Sequence, residues 1–180
     1  MPDEISRLVE EAPGFKQERI QWSLDEIARR EVDPATGAPS VIKQLFDYWL
    51  EKRVGEVPEA SMFDPMGAFT PNEFRFVAWV DVGSDDPGDF VLRHHPGLLF
   101  GDWSDKRLRE YHIQHHGRNC ALEYLMCKTV QQPIYHELWH SLGSAGRHYT
   151  RIVLPVVDKR QRVSRVYYAV HHQENSPFGG

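Results

Sequence analysis

Three runs of alternating apolar and polar residues near the end of the chain, separated by short turns, constrain its fold more than any other feature. Ile134 to Leu142 is the first run, Tyr149 to Val157 the second and Val163 to His171 the third. Gly143-Ser144-Ala145-Gly146 and Asp158-Lys159-Arg160-Gln161 stand between them. Side chains on a strand alternate between faces, so each run predicts a strand. Connections this short return the chain antiparallel, which makes a three-stranded meander. A similar run lies upstream. Phe74, Phe76, Ala78, Val80 and Val82 alternate with Arg75, Val77, Trp79 and Asp81. The turn residues Gly83 to Gly88 follow, and Phe90 to His95 is the returning strand of a hairpin.

Helical patterns fill the remaining chain. Ile42, Leu45, Phe46, Trp49 and Leu50 recur at i, i+3, i+4, i+7 and i+8, one face of a helix. Ser40 is its expected N-cap, Tyr48 widens the stripe and Gly55 ends it. Pro58, Pro65, Gly67 and Pro71 mark irregular chain up to about Asn72. Trp103 to Gln131 reads as mostly helical. Ser104 caps a short helix carrying Leu108 and Tyr111, Gly117 breaks it, and Ala121, Tyr124 and Leu125 begin another with Cys120 and Cys127 alongside. Before residue 40, Ile5, Leu8 and Val9 have helical spacing, stopped by Pro13-Gly14. Ser23 and Glu26 form a capping box for a second helix with Leu24, Ile27 and Ala28 as its stripe. Asp33 to Pro39 is a linker. The organisation expected is a helical extension over 1–39, an α+β domain over 40–173 with helices on one face of an antiparallel sheet, and a flexible tail over 174–180.

Composition narrows the function. Of 180 residues, 41% are hydrophobic and 26% charged, enough apolar material for a packed core. The net charge is −5 and no basic stripe appears. Nucleic-acid binding rests on Lys and Arg neutralising phosphates, so nucleic acid is not an expected partner. No stretch approaches the ~18 apolar residues of a membrane span. Met1 to Glu11 is acidic and lacks the order of a secretory signal, so a cytoplasmic location is expected. Cys120 and Cys127 are the only cysteines. Seven residues apart on a helix, they stand ~10 Å apart along its axis, too far for a disulfide. Both read as buried reduced thiols without activation.

His136-Glu137-Leu138-Trp139-His140 spells H-E-x-x-H, which on a helix presents two zinc-binding histidines and a general base. Four observations count against a zinc hydrolase. Gly146 stands where an extended metzincin pattern needs a histidine, no methionine follows Met126, few further ligands lie downstream, and the segment alternates like a strand. Four residues apart on a strand, His136 and His140 would be ~13 Å apart and unable to share one ion. His112, His115 and His116 form a second cluster, and His94-His95 and His171-His172 are adjacent pairs. No phosphate loop, nucleophile elbow or dinucleotide fingerprint is present.

From about Val41 to Gln173 the chain resembles a bacterial PAS-like domain family of short stand-alone proteins. The residues that carry the resemblance are Tyr48-Trp49 with Arg53 and Gly55, then Pro58 and Asp64-Pro65, then the strand Phe74 to Val82. Val91-Leu92-Arg93 with Gly97, Phe100-Gly101-Asp102, and Tyr149, Ile152 and Leu154-Pro155 follow in order. Ser104-Asp105 departs from the family's usual Thr-Gly, and Asp158 to Gln161 from its usual Gly turn. The resemblance implies a curved five-stranded antiparallel sheet with helices across one face, and a sensory or regulatory role in place of catalysis. It implies a small ligand or a regulatory protein partner, and a homodimer formed through the N-terminal extension. Expected pocket-wall residues are Trp103, Leu108, Tyr111, Tyr124, His136, Leu138, His140 and Ile152. No cofactor is specified. A haem would need an axial ligand, for which His112, His115 and His116 are the candidates. Two alternatives stand beside this reading: a dimerisation or protein-interaction domain without ligand, and the disfavoured zinc hydrolase.

Overall fold

The computed structural model describes residues 26–31, 38–74, 77–94, 103–111, 114–142 and 145–172. One antiparallel sheet organises them. Its strands are β1 (Glu26–Glu31), β2 (Val77–Asp81), β3 (Val91–His94), β4 (Lys106–Arg107), β5 (Ile134–Leu142), β6 (Ala145–Val157) and β7 (Val163–His172), in the order β1-β5-β6-β7-β2-β3-β4. The helices are α1 (Ser40–Lys52), the single turns α2 (Pro65–Ala68) and α3 (Pro71–Phe74), and α4 (Gln114–Val130). The architecture is α+β, as the alternation predicts.

The meander follows directly from the three alternating runs. β5 has the predicted bounds, β6 starts four residues earlier than expected and β7 ends one residue later. Among the described residues, seven strands replace the expected five, because β1 and β4 add one at each edge. β1 is the larger departure. Its residues carry the helical spacing of Ile27 and Ala28, yet Glu26–Glu31 pairs antiparallel with β5, Glu31 opposite His136. The open backbone edge of β5 outweighs a narrow helical stripe whose propensity is worth only tenths of a kcal/mol per residue. The predicted helix around Ile5 to Val9, the linker 33–37, the Gly97 to Asp102 segment, His95, His112 and the tail 174–180 lie outside the described residues.

Helices cover both faces of the sheet, which corrects the expected single covered face. Neighbouring residues on a strand point to opposite sides, and Tyr167 and Tyr168 on β7 show where each side leads. The Tyr168 ring stacks on Tyr124 of α4 at 5.6 Å. The Tyr167 ring meets Phe63 edge-on at 4.8 Å, and Phe63 packs on Tyr48 of α1 at 5.1 Å. α1 buries Ile42, Leu45 and Trp49 as its spacing predicts. Trp49 Nε1 donates to the Pro155 carbonyl at 2.7 Å and ties α1 to β6. Ser40 is the first helical residue and not the cap, and Pro39 precedes the helix without a capping side chain.

The middle of the chain is less helical than predicted before Gln114 and more helical after it. Leu108–Glu110 forms one 3-10 turn between β4 and α4. Gly117 does not break a helix, because α4 runs through it from Gln114 to Val130. A β-carbon at Gly117 would stand 2.9 Å from the Leu108 carbonyl oxygen and 3.0 Å from Tyr111 Cβ. The glycine lets the 3-10 turn lie directly on the helix. Among the described residues, no helix is long and apolar enough to cross a membrane.

Candidate functional site

The face of α4 that meets the sheet is not apolar throughout. His116, Cys120, Glu123 and Cys127 follow one another at helical spacings of four, three and four, with Tyr124 beside them. Glu123 is fully buried and Asn119 and Cys120 are nearly so. Across from them, register pairs His136 of β5 with Arg151 of β6. The sheet thus places two nitrogen-bearing side chains opposite a buried carboxylate and a buried thiol.

The contacts form one cluster. The Arg151 guanidinium makes an ion pair through Nη2 with Glu123 Oε2. Its Nη1 donates to Cys120 Sγ at 3.2 Å. His136 Nδ1 lies 2.9 Å from Glu123 Oε1, where a carboxylate can only accept, so Nδ1 carries the proton. His116 Nε2 lies 3.6 Å from Cys120 Sγ. The carboxylate therefore binds a guanidinium and an imidazole, and the sulfur faces a guanidinium and an imidazole. Each buried charge is thus paired, while Arg151 Nε is buried with no hydrogen-bond partner among the described residues.

The two cysteines respond oppositely to their surroundings. Burial alone would push the Cys120 thiol up. Positive charge on His116 and Arg151, with the His116 hydrogen bond, outweighs burial and brings it down to about 6. Cys127 is held well above the ordinary thiol value, first by burial and then by the Glu123 charge. Its Sγ points to the Gln132 and Val153 carbonyls instead. Arg151 is raised well above its ordinary value, because the charges of Glu123 and Cys120 overcome the cost of burying it. The phenols of Tyr111, Tyr124 and Tyr168 are all pushed up, first by burial and next by negative charge at Cys120.

The predicted pocket residues divide between regions. Tyr124 and His136 belong to the cluster or border it, and Leu138 lies buried on the same sheet face. Tyr111 packs between Trp103 at 4.9 Å and His116 at 5.7 Å, and Leu108 lies in the adjoining 3-10 turn. Ile152 is buried on the opposite face, because it neighbours Arg151 along β6 and pairs with Tyr135. The side chains of His115 and His140 lie outside the described residues. The H-E-x-x-H segment is strand throughout, as its alternation predicts, and its letters part company. His136 faces α4, while Glu137 on the other face meets His148 Nε2 at 2.8 Å.

Sequence reasoning missed Cys120 as an activated thiol, and Glu123 and Arg151 altogether. One signal was present. Glu123 is a charged residue among Cys120, Ala121, Tyr124 and Cys127, the buried side of α4. Comparison with known proteins gives no match to any family model, curated protein or solved structure.

Proposed function

We propose that the chain is a PAS-like sensory or regulatory module of the cytoplasm, and that its input reaches the charged layer between α4 and the sheet. The single observation that carries this reading is the buried set Glu123, Arg151, His136 and Cys120. A buried ion pair is a poor means of stabilising a core, since apolar residues of the same volume do as well or better. A four-member polar layer built on an ion pair under one helix is therefore better accounted for by responsiveness than by packing. The central strands β5-β6-β7-β2-β3, antiparallel throughout with α4 across one face, support the family resemblance. The parting of His136 and Glu137 to opposite sides of β5 supports a non-hydrolytic role.

A native mass spectrum set beside the denatured mass, followed by a thermal-shift screen with small molecules, tests this. The expected result is a retained small molecule, or a compound that raises the melting temperature and loses that effect in Glu123→Gln. A ligand at 100 times its Kd stabilises by about 2.7 kcal/mol, which is about 5–11 °C for a chain of this size. No retained mass and no shift from any compound would overturn ligand sensing. The protein-interaction reading would then lead. It is favoured by Val54, Met62 and Met66, large apolar side chains that stand exposed. Its homodimer form predicts that removing residues 1–25, which leaves β1 in the sheet, yields a folded monomer.

A further inference from the structure

Among the described residues buried under α4, Cys120 alone is a nucleophile held by two nitrogen donors. Arg151 Nη1 stands 3.2 Å and His116 Nε2 3.6 Å from its sulfur. Arg151 pairs through Nη2 with Glu123 and keeps Nη1 for the sulfur, so one guanidinium holds both buried groups. Cys127 lies two helical turns on the same face and has carbonyl oxygens as its partners in place of cations. Access differs from that of a surface thiol. Cys120 is 6% exposed, against 0% for Cys127. A residue this buried excludes bulky disulfides and alkylating agents and leaves a reagent the size of water as the candidate.

We infer that Cys120 is a modification site for hydrogen peroxide, with His116 as the acid that completes the reaction. The thiolate sulfur attacks one peroxide oxygen, an S–O bond forms and the O–O bond breaks. Sulfur is oxidised by two electrons, and the peroxide oxygen that leaves is reduced to hydroxide. The proton on His116 passes to that oxygen and makes water. The products are a sulfenic acid that keeps peroxide's other proton, a neutral imidazole and one water. The cluster is neutral before and after, since thiolate and imidazolium are consumed together. Arg151 loses its anionic partner at Nη1 and keeps Glu123. Cys127 does not resolve the product as a disulfide, because ~10 Å of helix separates it from Cys120. An external thiol is needed for recovery. The inference is independent of the sensory reading, because thiolate chemistry follows from the local contacts alone.

The groups facing Cys120 are His116, Glu123 and Tyr124 from α4, Arg151 from β6, Tyr168 from β7 and Tyr111 from the 3-10 turn. Of these, the two cations set the pH range in which the thiolate exists. The experiment treats the intact protein with a few equivalents of hydrogen peroxide across pH 5 to 9. It locates the added oxygen by peptide mass after trapping with a sulfenic-acid probe in denaturant. Oxidation at Cys120 at least about tenfold faster than at Cys127 is expected at pH 7, where a thiol of pKa about 6 is mostly thiolate. The rate should rise no further above about pH 6 to 7, because the acid is required as well as the thiolate, and native iodoacetamide should react slowly. His116→Gln should slow oxidation about tenfold and move the rise to higher pH, with circular dichroism confirming the fold. If that variant does not fold, the wild-type pH profile decides alone. An unmodified Cys120, equal labelling of both cysteines, or a rate still climbing between pH 8 and 9 would overturn the inference.

Discussion

The two faces of the sheet solve the same packing problem with different chemistry. On the α1 side, Tyr48, Phe63, Tyr167 and Trp79 interlock as aromatic rings, with Ile152 and Leu154 buried on the same face. On the α4 side, Tyr124, Tyr168, Leu138 and Val153 surround a guanidinium, a carboxylate, an imidazole and a thiol. Apolar burial yields about 25 cal/mol per Å² whichever face it occurs on. Charged burial returns its desolvation cost only while every partner is in place. The α1 face is therefore tolerant of conditions and intolerant of lost volume. The α4 face is sensitive to the loss of any one charge, and hence to pH and to chemistry at sulfur.

The comparison breaks first under substitution of the ion pair. Glu123→Ala should cost about 3–5 kcal/mol in chemical denaturation, because Arg151 is left charged and buried. Glu123→Leu with Arg151→Met should recover most of that loss, a coupling visible in a double-mutant cycle. Phe63→Ala on the opposite face should cost a similar ~3–5 kcal/mol through its cavity, and neither substitution on the α4 face should rescue it. Additive losses at Glu123 and Arg151, with no recovery in the double variant, would erase the distinction drawn between the faces.

A smaller effect tests the join between α4 and the 3-10 turn. Helix propensity says Gly117→Ala should stabilise α4 by about 1 kcal/mol. The Leu108 carbonyl and Tyr111 Cβ leave no room for the methyl, so the measured change should be a loss of about 1–3 kcal/mol. A gain would show that the turn moves aside.

A third test sharpens the contrast through pH. The Cys120 value in the folded protein, about 6, lies below the ordinary 9.0. A depressed acid stabilises the fold fully above its unfolded value and loses that contribution as pH falls toward its folded one. Stability attributable to Cys120 should thus decline from pH 9 to pH 6, by at most about 1.4 kcal/mol per pH unit for one proton. Subtracting the same profile for Cys120→Ser isolates it from the histidines. Identical profiles for the two proteins would place the thiol outside the charge balance.

Legibility followed the range of the interactions. The alternation in Ile134–Leu142 and the spacing of Ile42, Leu45 and Trp49 are local patterns, and the structure keeps both elements. Gly117 was misread because the reason for a glycine there lies in another segment, the Leu108 carbonyl. Glu26–Glu31 was misread because its partner is β5, more than a hundred residues away. Cys120 gave no sign of activation because nothing adjacent in sequence except His116 bears on it. Arg151, the second cation, is 31 residues downstream.

By itself the amino-acid sequence determined the α+β class, the antiparallel meander, the buried face of α1 and the strand character of the His136 to His140 segment. Each depends on side-chain period and turn residues, which act over a few positions. Tertiary structure alone decided that helices cover both faces, that Ile152 and His136 lie on opposite sides, and that Arg151 reaches both Glu123 and Cys120. Electrostatic interaction depends on distance and on the exclusion of water. Both arise only when α4 settles on the sheet, so the charge state of one thiol is a property of the fold and not of its neighbours in the chain.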